Sequence, residues 1–435
     1  MQKNINRFVL VLLVLSFGCQ SPKSSIQVVD EDAAWCWFSD PRAIKLNQHD
    51  EAGLISGGVA KDGSVVAFSY NSALQKIERG IIHPQLEKDD HNNPAFLELP
   101  DGKILAFYTR HHNKELFVSG TTKPGDITDW EQPQQINISN PAEAEIYGTP
   151  YYTYANPFLL SSEENRIYLF GRWMGFKPTM IWSDDLGKTW SNSRVVVCPQ
   201  PFDAGNRPYV KYFSDGSKRI HITFTDGHPR NEPANSVYYA YYENGAFYRA
   251  DGALICPVDS LPFEPGDATL VYQGNKEQGR AWVYDMKADE QGNPVIAYAR
   301  YPTEQDHIYR YARYDGNKWQ NVDICNSGKW FPETPEGEKE REPHYSGGLV
   351  IDGNNLSEVY LSRQVNGIFE IEKWRINGNG SWSQEAVTRN SELDQVRPFV
   401  PWWSSGETAD VLWMENEKYV HYTDYESRIK MLVRE

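Results

Sequence analysis

Cysteine is scarce in this chain. Five occur in 435 residues, and none stands in a CxxC pair, so a clustered zinc site has no support. Cations are in deficit as well: 43 Lys and Arg face 59 Asp and Glu, a net charge of −16. A protein with general affinity for nucleic acid carries a basic footprint, and this one does not. The deficit leaves an anionic ligand open, because a local basic cluster can hold one against the overall field. Beyond the N-terminus there is no charge block, no low-complexity linker and no sustained helical period. Length alone would suggest two or three domains, but nothing in the sequence marks a seam between them.

The one long apolar run lies at the start. Lys3 and Arg7 precede "FVLVLLVLSFGC", which is too short and wrongly flanked for a stable membrane-spanning helix. Its end, Leu15 to Cys19, resembles a bacterial lipoprotein cleavage box with Cys19 as the lipidated residue, and "QSPKSS" follows as a short tether. The expected organisation is a signal peptide over 1–18, a lipidated tether over 19–25 and one domain over 26–435. The expected location is the outer membrane, on its surface or periplasmic face, with the lipid as the membrane contact. An ordinary cleaved signal would export the protein equally. The remaining thiols, Cys36, Cys198, Cys256 and Cys325, are far apart and read as single buried residues.

What the chain has in quantity is aromatic residues, 14 Trp and 26 Tyr among them. They fall in short strands such as "RIYLFGRW", "RIHITFTDG" and "PVIAYARYP", separated by Gly, Asn, Asp and Pro turns. A repeat emerges when the turns are aligned. "SDDLGKTW" at 183–190 is a full S-x-D-x-G-x-T-W Asp-box, a hairpin turn closed by a tryptophan that packs beneath it. Degenerate copies close on Trp130, Phe247, Trp319 and Trp382, at successive spacings of 60, 57, 72 and 63 residues. A four-stranded propeller blade with generous loops takes about that length, so the mature chain holds about seven blades. The fold class expected is all-β, a seven-bladed β-propeller. Asp184 and Asp185 belong to turn architecture and carry no chemistry.

The stretch "DDHNNPAFLELPDGKILAFYTRHH" at 89–112 contains three of the ten histidines. Two apolar strands meet at a Pro-Asp-Gly turn, and an antiparallel hairpin returns His91 and His111 to the same edge of the sheet. The next repeat has a matching layout: Tyr154 stands before its first strand in "YTYANPF", and Arg172 ends the second in "YLFGR". If the blades are neighbours, four groups suited to acid–base chemistry and anion binding share one mouth. His and Tyr donate or accept protons within hydrogen-bond reach, and the planar fork of Arg grips a carboxylate at two points.

Motifs over nearly the whole mature chain, "AWCWFSDPRAI", "HNNPAF", "YTYANPF", "YLFGR", "RPYVKY", "FTDGHPR", "HYSGGLV" and "VRPFVPWW", resemble the BNR-4 family of Asp-box propellers. That family includes seven-bladed ulvan lyases and a rhamnosidase acting on rhamnose linked to glucuronic acid. The resemblance implies a polysaccharide lyase that cleaves a rhamnose- and uronate-containing, ulvan-type polymer by β-elimination. It implies His91 and Tyr154 as base and acid, with His111 and Arg172 binding or neutralising the uronate. Tyr209, Asn93 and His228 are further expected substrate contacts. Tyr212 competes with Tyr209 for its role, and His112 with His111. No cofactor is required by this chemistry and no catalytic metal is expected, though a structural divalent cation is compatible with it. The partners expected are an anionic polysaccharide and a membrane, reached through the lipid, with no nucleic acid; the protein is expected to be a monomer.

Other residues read less sharply. Arg42 in "SDPRA" is expected to form a structural pair between blades, and His344 and Arg397 to face the central channel without a defined role. His91, Arg110, His111, Lys114, Arg172, Lys177, Arg207 and Lys211 are expected to make the cleft locally positive. An exo-rhamnosidase is the alternative enzyme; it would work on the opposite face, where His49 is the only nearby imidazole after "DPRA". A lipoprotein that only binds carbohydrate needs aromatic platforms but no matched acid and base. A sialidase is disfavoured, because no arginine triad with a Tyr-Glu pair can be assembled.

Overall fold

The computed structural model describes residues 24–46, 53–71, 74–138, 140–303, 306–329, 347–401 and 411–434. Cys19, His49 and His344 lie outside them. Seven antiparallel sheets stand as the blades of a propeller, five of them with four strands in plain sequence order across the sheet. Blades 1 to 6 run over 43–83, 95–135, 156–195, 210–272, 280–328 and 349–386. Blade 4 carries two additional strands, Leu254–Pro257 and Thr269–Tyr272, which account for the longest of the repeat spacings.

Blade 7 takes three strands from the C-terminus, Asp394–Phe399, Val411–His421 and Asp424–Arg434, and its outermost strand from the N-terminus, Ser24–Asp30. Six residue pairs join the first strand to the last, from Ser24 opposite Arg434 to Asp30 opposite Ile429. The sheet begins at Ser24, so Ser24 and Ser25 of the segment expected as a tether over 19–25 belong to the first strand.

The closing aromatics occupy equivalent places. Trp130, Trp190, Phe247, Trp319 and Trp382 all lie at or just beyond the turn between the third and fourth strands of blades 2 to 6. In the full Asp-box, Asp185 accepts from the Thr189 hydroxyl at 2.6 Å, the Thr189 N–H at 2.8 Å and the Lys188 N–H at 3.1 Å. These bonds hold its pKa down at about 2, the Thr189 hydroxyl first among them. Trp190 meets Phe107 of blade 2 edge to face, with ring centroids 5.8 Å apart. The degenerate turn of blade 2 keeps the device: Asp126 binds the Thr128 hydroxyl at 2.6 Å, and the Trp130 indole donates to the Ile127 carbonyl at 2.7 Å.

Alternating apolar faces pack blade against blade. Ile55, Val65 and Ala67 of blade 1 meet Phe96, Ile104 and Ala106 of blade 2, and Leu116 and Phe107 of blade 2 meet Leu169 and Ile181 of blade 3. One α-helix, Pro141–Tyr147, is present among the described residues, capped by the Asn140 side chain on the Glu143 N–H. Cys36, Cys198, Cys256 and Cys325 are all free thiols, the first two buried and the others half-buried.

Candidate active site

Three successive blades present side chains at the same two positions, just before the inner strand and at or after the end of the second. Blade 2 presents His91 and His111, blade 3 Tyr154 and Arg172, and blade 4 Tyr209 and His228. All six line one cavity of about 230 Å³, together with Cys36, Trp37, Phe38, Trp282 and Tyr422. The hairpin argument from the sequence thus holds across three blades.

His91 sits on a single 3-10 turn, Asp90–Asn92. Asp89 caps that turn by accepting the His91 N–H at 2.9 Å, and Pro94 prevents the turn from continuing. The cap has a second use. Asp89 Oδ1 accepts from His91 Nδ1 at 2.8 Å, and its Oδ2 from His111 Nδ1 at 2.9 Å. The two imidazoles stack in parallel, with centroids 4.1 Å apart and planes 12° from coplanar. A carboxylate can only accept, so each Nδ1 carries a hydrogen, and Nε2 is left as the nitrogen available to a ligand.

The stack separates the rings electrically. Burial disfavours a charged His91, but Cys36, Asp89 and Asp90 oppose that and lift its pKa well above the ordinary range. Burial holds Cys36 as a neutral thiol, so the two carboxylates are what keep the proton on His91. Asp90 Oδ1 lies 3.2 Å from His91 Nδ1, a charge contact beside the better hydrogen bond to Asp89. For His111, burial comes first and the neighbouring His91 second, and its pKa falls to about 4. Near neutral pH the pair holds one extra proton, resting on His91. Asp89 is held well below the usual carboxylate range: burial would raise it, but the two histidines overcome that.

Tyr154 has a backbone φ of +66°, a left-handed conformation that costs a residue with a side chain on the order of 1–2 kcal/mol. Burial, and then Tyr209, push its phenol well above 10, with Arg172 opposing. It is therefore a protonated donor. Its ring centroid lies 5.8 Å from that of His91 and 5.4 Å from that of Phe38.

Arg172 is 6% exposed. Its guanidinium carbon lies 5.1 Å from the Tyr154 ring centroid and 4.8 Å from that of Tyr209. Its side chain bonds Tyr209, but its Nε and Nη1 have no hydrogen-bond partner, and among the described residues no carboxylate is paired with it. A buried guanidinium left in that state is costly unless something completes it. His228 stays neutral, burial first and Arg230 next lowering its pKa to about 3. Its Nδ1 accepts the Arg230 N–H at 3.0 Å.

Several expectations need correction. Asn93 lies outside the cavity lining: it is fully buried, accepting the Cys36 N–H at 3.1 Å and donating to the Ser39 carbonyl at 3.3 Å. Its amide is used to shape the 36–39 segment. Lys177 is buried beneath the floor, donating to the carbonyls of Gly175, Asp203 and Asn206. Lys211 pairs with Asp40 and the Trp37 carbonyl, and Arg110 is paired with Glu115 at 3.0 Å. Lys114 is not among the lining residues. Of the expected cations Arg172 and Arg207 do line the cavity, joined by Arg230 and Arg397, and Asp90 is the single carboxylate among the described lining residues.

The paired alternatives separate cleanly. Tyr212 is buried against Phe158 and Phe170, and His112 stacks on Tyr151 and Phe176 away from the cavity. Arg42 bonds Asp40 at 2.8 Å and lies over Phe399 of blade 7, as an inter-blade element. Arg397 bonds Asp90 and the Trp35 carbonyl at 2.5 and 2.6 Å.

Asp89, Asp90, Arg230, Trp282 and Tyr422 had received no role from the sequence. The doubled aspartate before His91 was the available signal for the first two. Asp89, His91 and His111 are also the one group among the described residues able to offer three metal-ligand atoms, all within 4.8 Å. The donor types suit a divalent cation. A bound ion would, however, have to displace the two short hydrogen bonds to Asp89.

The fold and the cavity define a class: a seven-bladed propeller with an arginine-rich mouth that gathers imidazoles and phenols. The chain belongs to the BNR repeat-containing family, whose model matches residues 59–327. Among solved structures, the fold is similar to a PL25 ulvan lyase bound to -[GlcA(1-4)Rha3S]-, at 15% identity and a TM-score of 0.67, over 92% of this chain and 94% of that one. It is also similar to the polysaccharide lyase Uly1, at 11% identity and a TM-score of 0.58, over 94% of this chain and 97% of that one. No curated protein matches the sequence.

Proposed function

We propose that the protein is a polysaccharide lyase that cleaves a rhamnose- and uronate-containing polymer of the ulvan type by β-elimination. The observation that carries this reading is the buried Arg172, with its Nε and Nη1 unsatisfied and no carboxylate paired to it among the described residues, facing a cavity that also holds a neutral imidazole and a protonated phenol. A uronate carboxylate completes the guanidinium, and the charge-assisted contact draws electron density from the sugar C5–H bond. His111, neutral with its Nε2 lone pair free, takes the C5 proton. The C5 electron pair forms the C4=C5 double bond, the C4–O4 bond breaks, and Tyr154 gives its proton to the departing oxygen.

The family resemblance makes His91 the base and His111 the neutralising group. The electrostatics favour the reverse, since His91 already holds a proton and a protonated ring cannot accept another. Its charge adds to that of Arg172 beside the developing enolate, where preorganised charge is most effective. Arg207 and Arg230 extend the positive lining and suit further anionic groups on the polymer. The fold likeness to polysaccharide lyases supports the reading, and the resemblance of Leu15 to Cys19 to a lipoprotein box is compatible with work outside the cytoplasm.

The test is incubation with ulvan while following the ultraviolet absorbance of a C4–C5 unsaturated uronate. We expect a rise that Tyr154→Phe suppresses by about 10²–10⁴-fold. Release of rhamnose with no rise would replace the lyase by a glycosidase.

A further inference from the structure

We propose that Trp173 is the positioning residue for Tyr154, and that Gly171 is glycine because it must admit the tryptophan. The proposal rests on Tyr154 being the general acid. In the strand Arg166–Met174, alternate side chains point to opposite faces. Arg172 takes the face toward the cavity, and Gly171 and Trp173 take the other.

The indole folds back over the missing side chain of Gly171. A Cβ built there would lie 2.0 Å from Trp173 Nε1 and 2.3 Å from its Cε2. In this position the indole N–H donates to the Tyr154 carbonyl at 3.2 Å. Two main-chain bonds tie the same segments: the Tyr151 N–H donates to the Trp173 carbonyl and the Arg172 N–H to the Thr153 carbonyl, both at 3.0 Å. Those two bonds stop at residue 153. The indole alone reaches the carbonyl of the residue whose φ is +66°.

Any buried indole N–H needs a partner; what distinguishes Trp173 is that its partner is the carbonyl of Tyr154. Trp173 does fill the space between blades 2 and 3, being 1% exposed among Leu116, Tyr152 and Ile181. Its hydrogen bond adds a second task. One strand thus holds the carboxylate clamp through Arg172 and orients the proton donor through Trp173, which sets the distance between them.

The test replaces Trp173 by phenylalanine and by benzothienylalanine, an isostere with sulfur in place of the N–H that retains the packing. Each variant is read by crystal structure and by kinetics. We expect Tyr154 to leave its left-handed conformation and kcat to fall about 10–100-fold with KM within about twofold, as displacement of a reacting group by about 1 Å does. In a Tyr154→Phe background the same substitution should cost nothing further, because Trp173 acts only through the phenol.

A Tyr154 that keeps its conformation in the isostere variant overturns the proposal, as does an equal loss of rate in both backgrounds. If Tyr154→Phe is itself fully active, the acid assignment fails. The conformation of residue 154 in the isostere variant then still decides the role of Trp173.

Discussion

Replacing Asp89 by asparagine changes one oxygen to an amide nitrogen and leaves the shape of the site intact. The consequences follow from three bonds. Asp89 Oδ1 accepts both the backbone and ring N–H of His91, and Oδ2 accepts the ring N–H of His111. The asparagine oxygen can keep the two His91 bonds. Its NH₂ then faces His111 Nδ1, and two donors cannot share a hydrogen bond. His111 relieves the conflict by moving its hydrogen from Nδ1 to Nε2, so the nitrogen facing substrate no longer has a lone pair. The variant keeps the ring and the pocket but loses the base, so kcat should fall by about 10²–10⁴ while KM changes little. His91 also loses a carboxylate, and its pKa should fall from its raised position. The assay is unsaturated-uronate absorbance under saturating polymer, with histidine nitrogen NMR reporting the tautomer. A variant that keeps more than about a third of the rate while NMR shows Nε2 protonated would refute the assignment of His111 as base.

Arg172→Lys retains the charge but loses the planar two-point grip, and kcat/KM should fall by about 10²–10³; near-normal rates would remove Arg172 from carboxylate binding. Activity should persist through mild acid and fall as pH approaches about 4, where His111 protonates; a limb near the ordinary imidazole value would show that the pair is not coupled as described. The same shifts fix a stability profile. His111, with its pKa lowered in the fold, contributes stability that is lost as pH falls from about 6.5 toward 4, and His91, with its pKa raised, contributes stability lost as pH rises above about 6.5. Melting curves of His91→Asn should therefore lose the alkaline decline; an unchanged slope would contradict the raised pKa. Deleting Ser24–Asp30 removes six paired residues and the buried Val29, which should cost about 3–6 kcal/mol from the hydrogen bonds alone, seen as a lower denaturant midpoint.

The site was largely legible because a hairpin's geometry is local. His91 and His111 are 20 residues apart, and the antiparallel turn between them dictates that they meet. The same reasoning carried Tyr154 with Arg172. It failed for lysines and asparagines, whose direction depends on distant partners. Lys211 looked like a cleft cation, but it turns to Asp40, which belongs to a segment 171 residues earlier. Asn93 sits within the motif and is nevertheless consumed by the backbone at Cys36 and Ser39. The Asp-box spacing gave blades 2 to 6. Blade 7 has no such signal, and a pairing of Ser24 with Arg434 leaves no trace in local periodicity.

That pairing is what closes the ring. The strand Ser24–Asp30 is synthesised first and must wait, with its edge open, for Asp424–Arg434, a contact across almost the entire chain, of the kind that forms slowly. Arg397 and Tyr422 of the cavity wall come from the same late segment. A chain cut short by 40 residues would lose more than part of a sheet: it would present two sticky edges to its neighbours and lack Arg397 and Tyr422 of the cavity wall. Until Ser24–Asp30 and Asp424–Arg434 pair, both open edges are exposed to proteases and to aggregation.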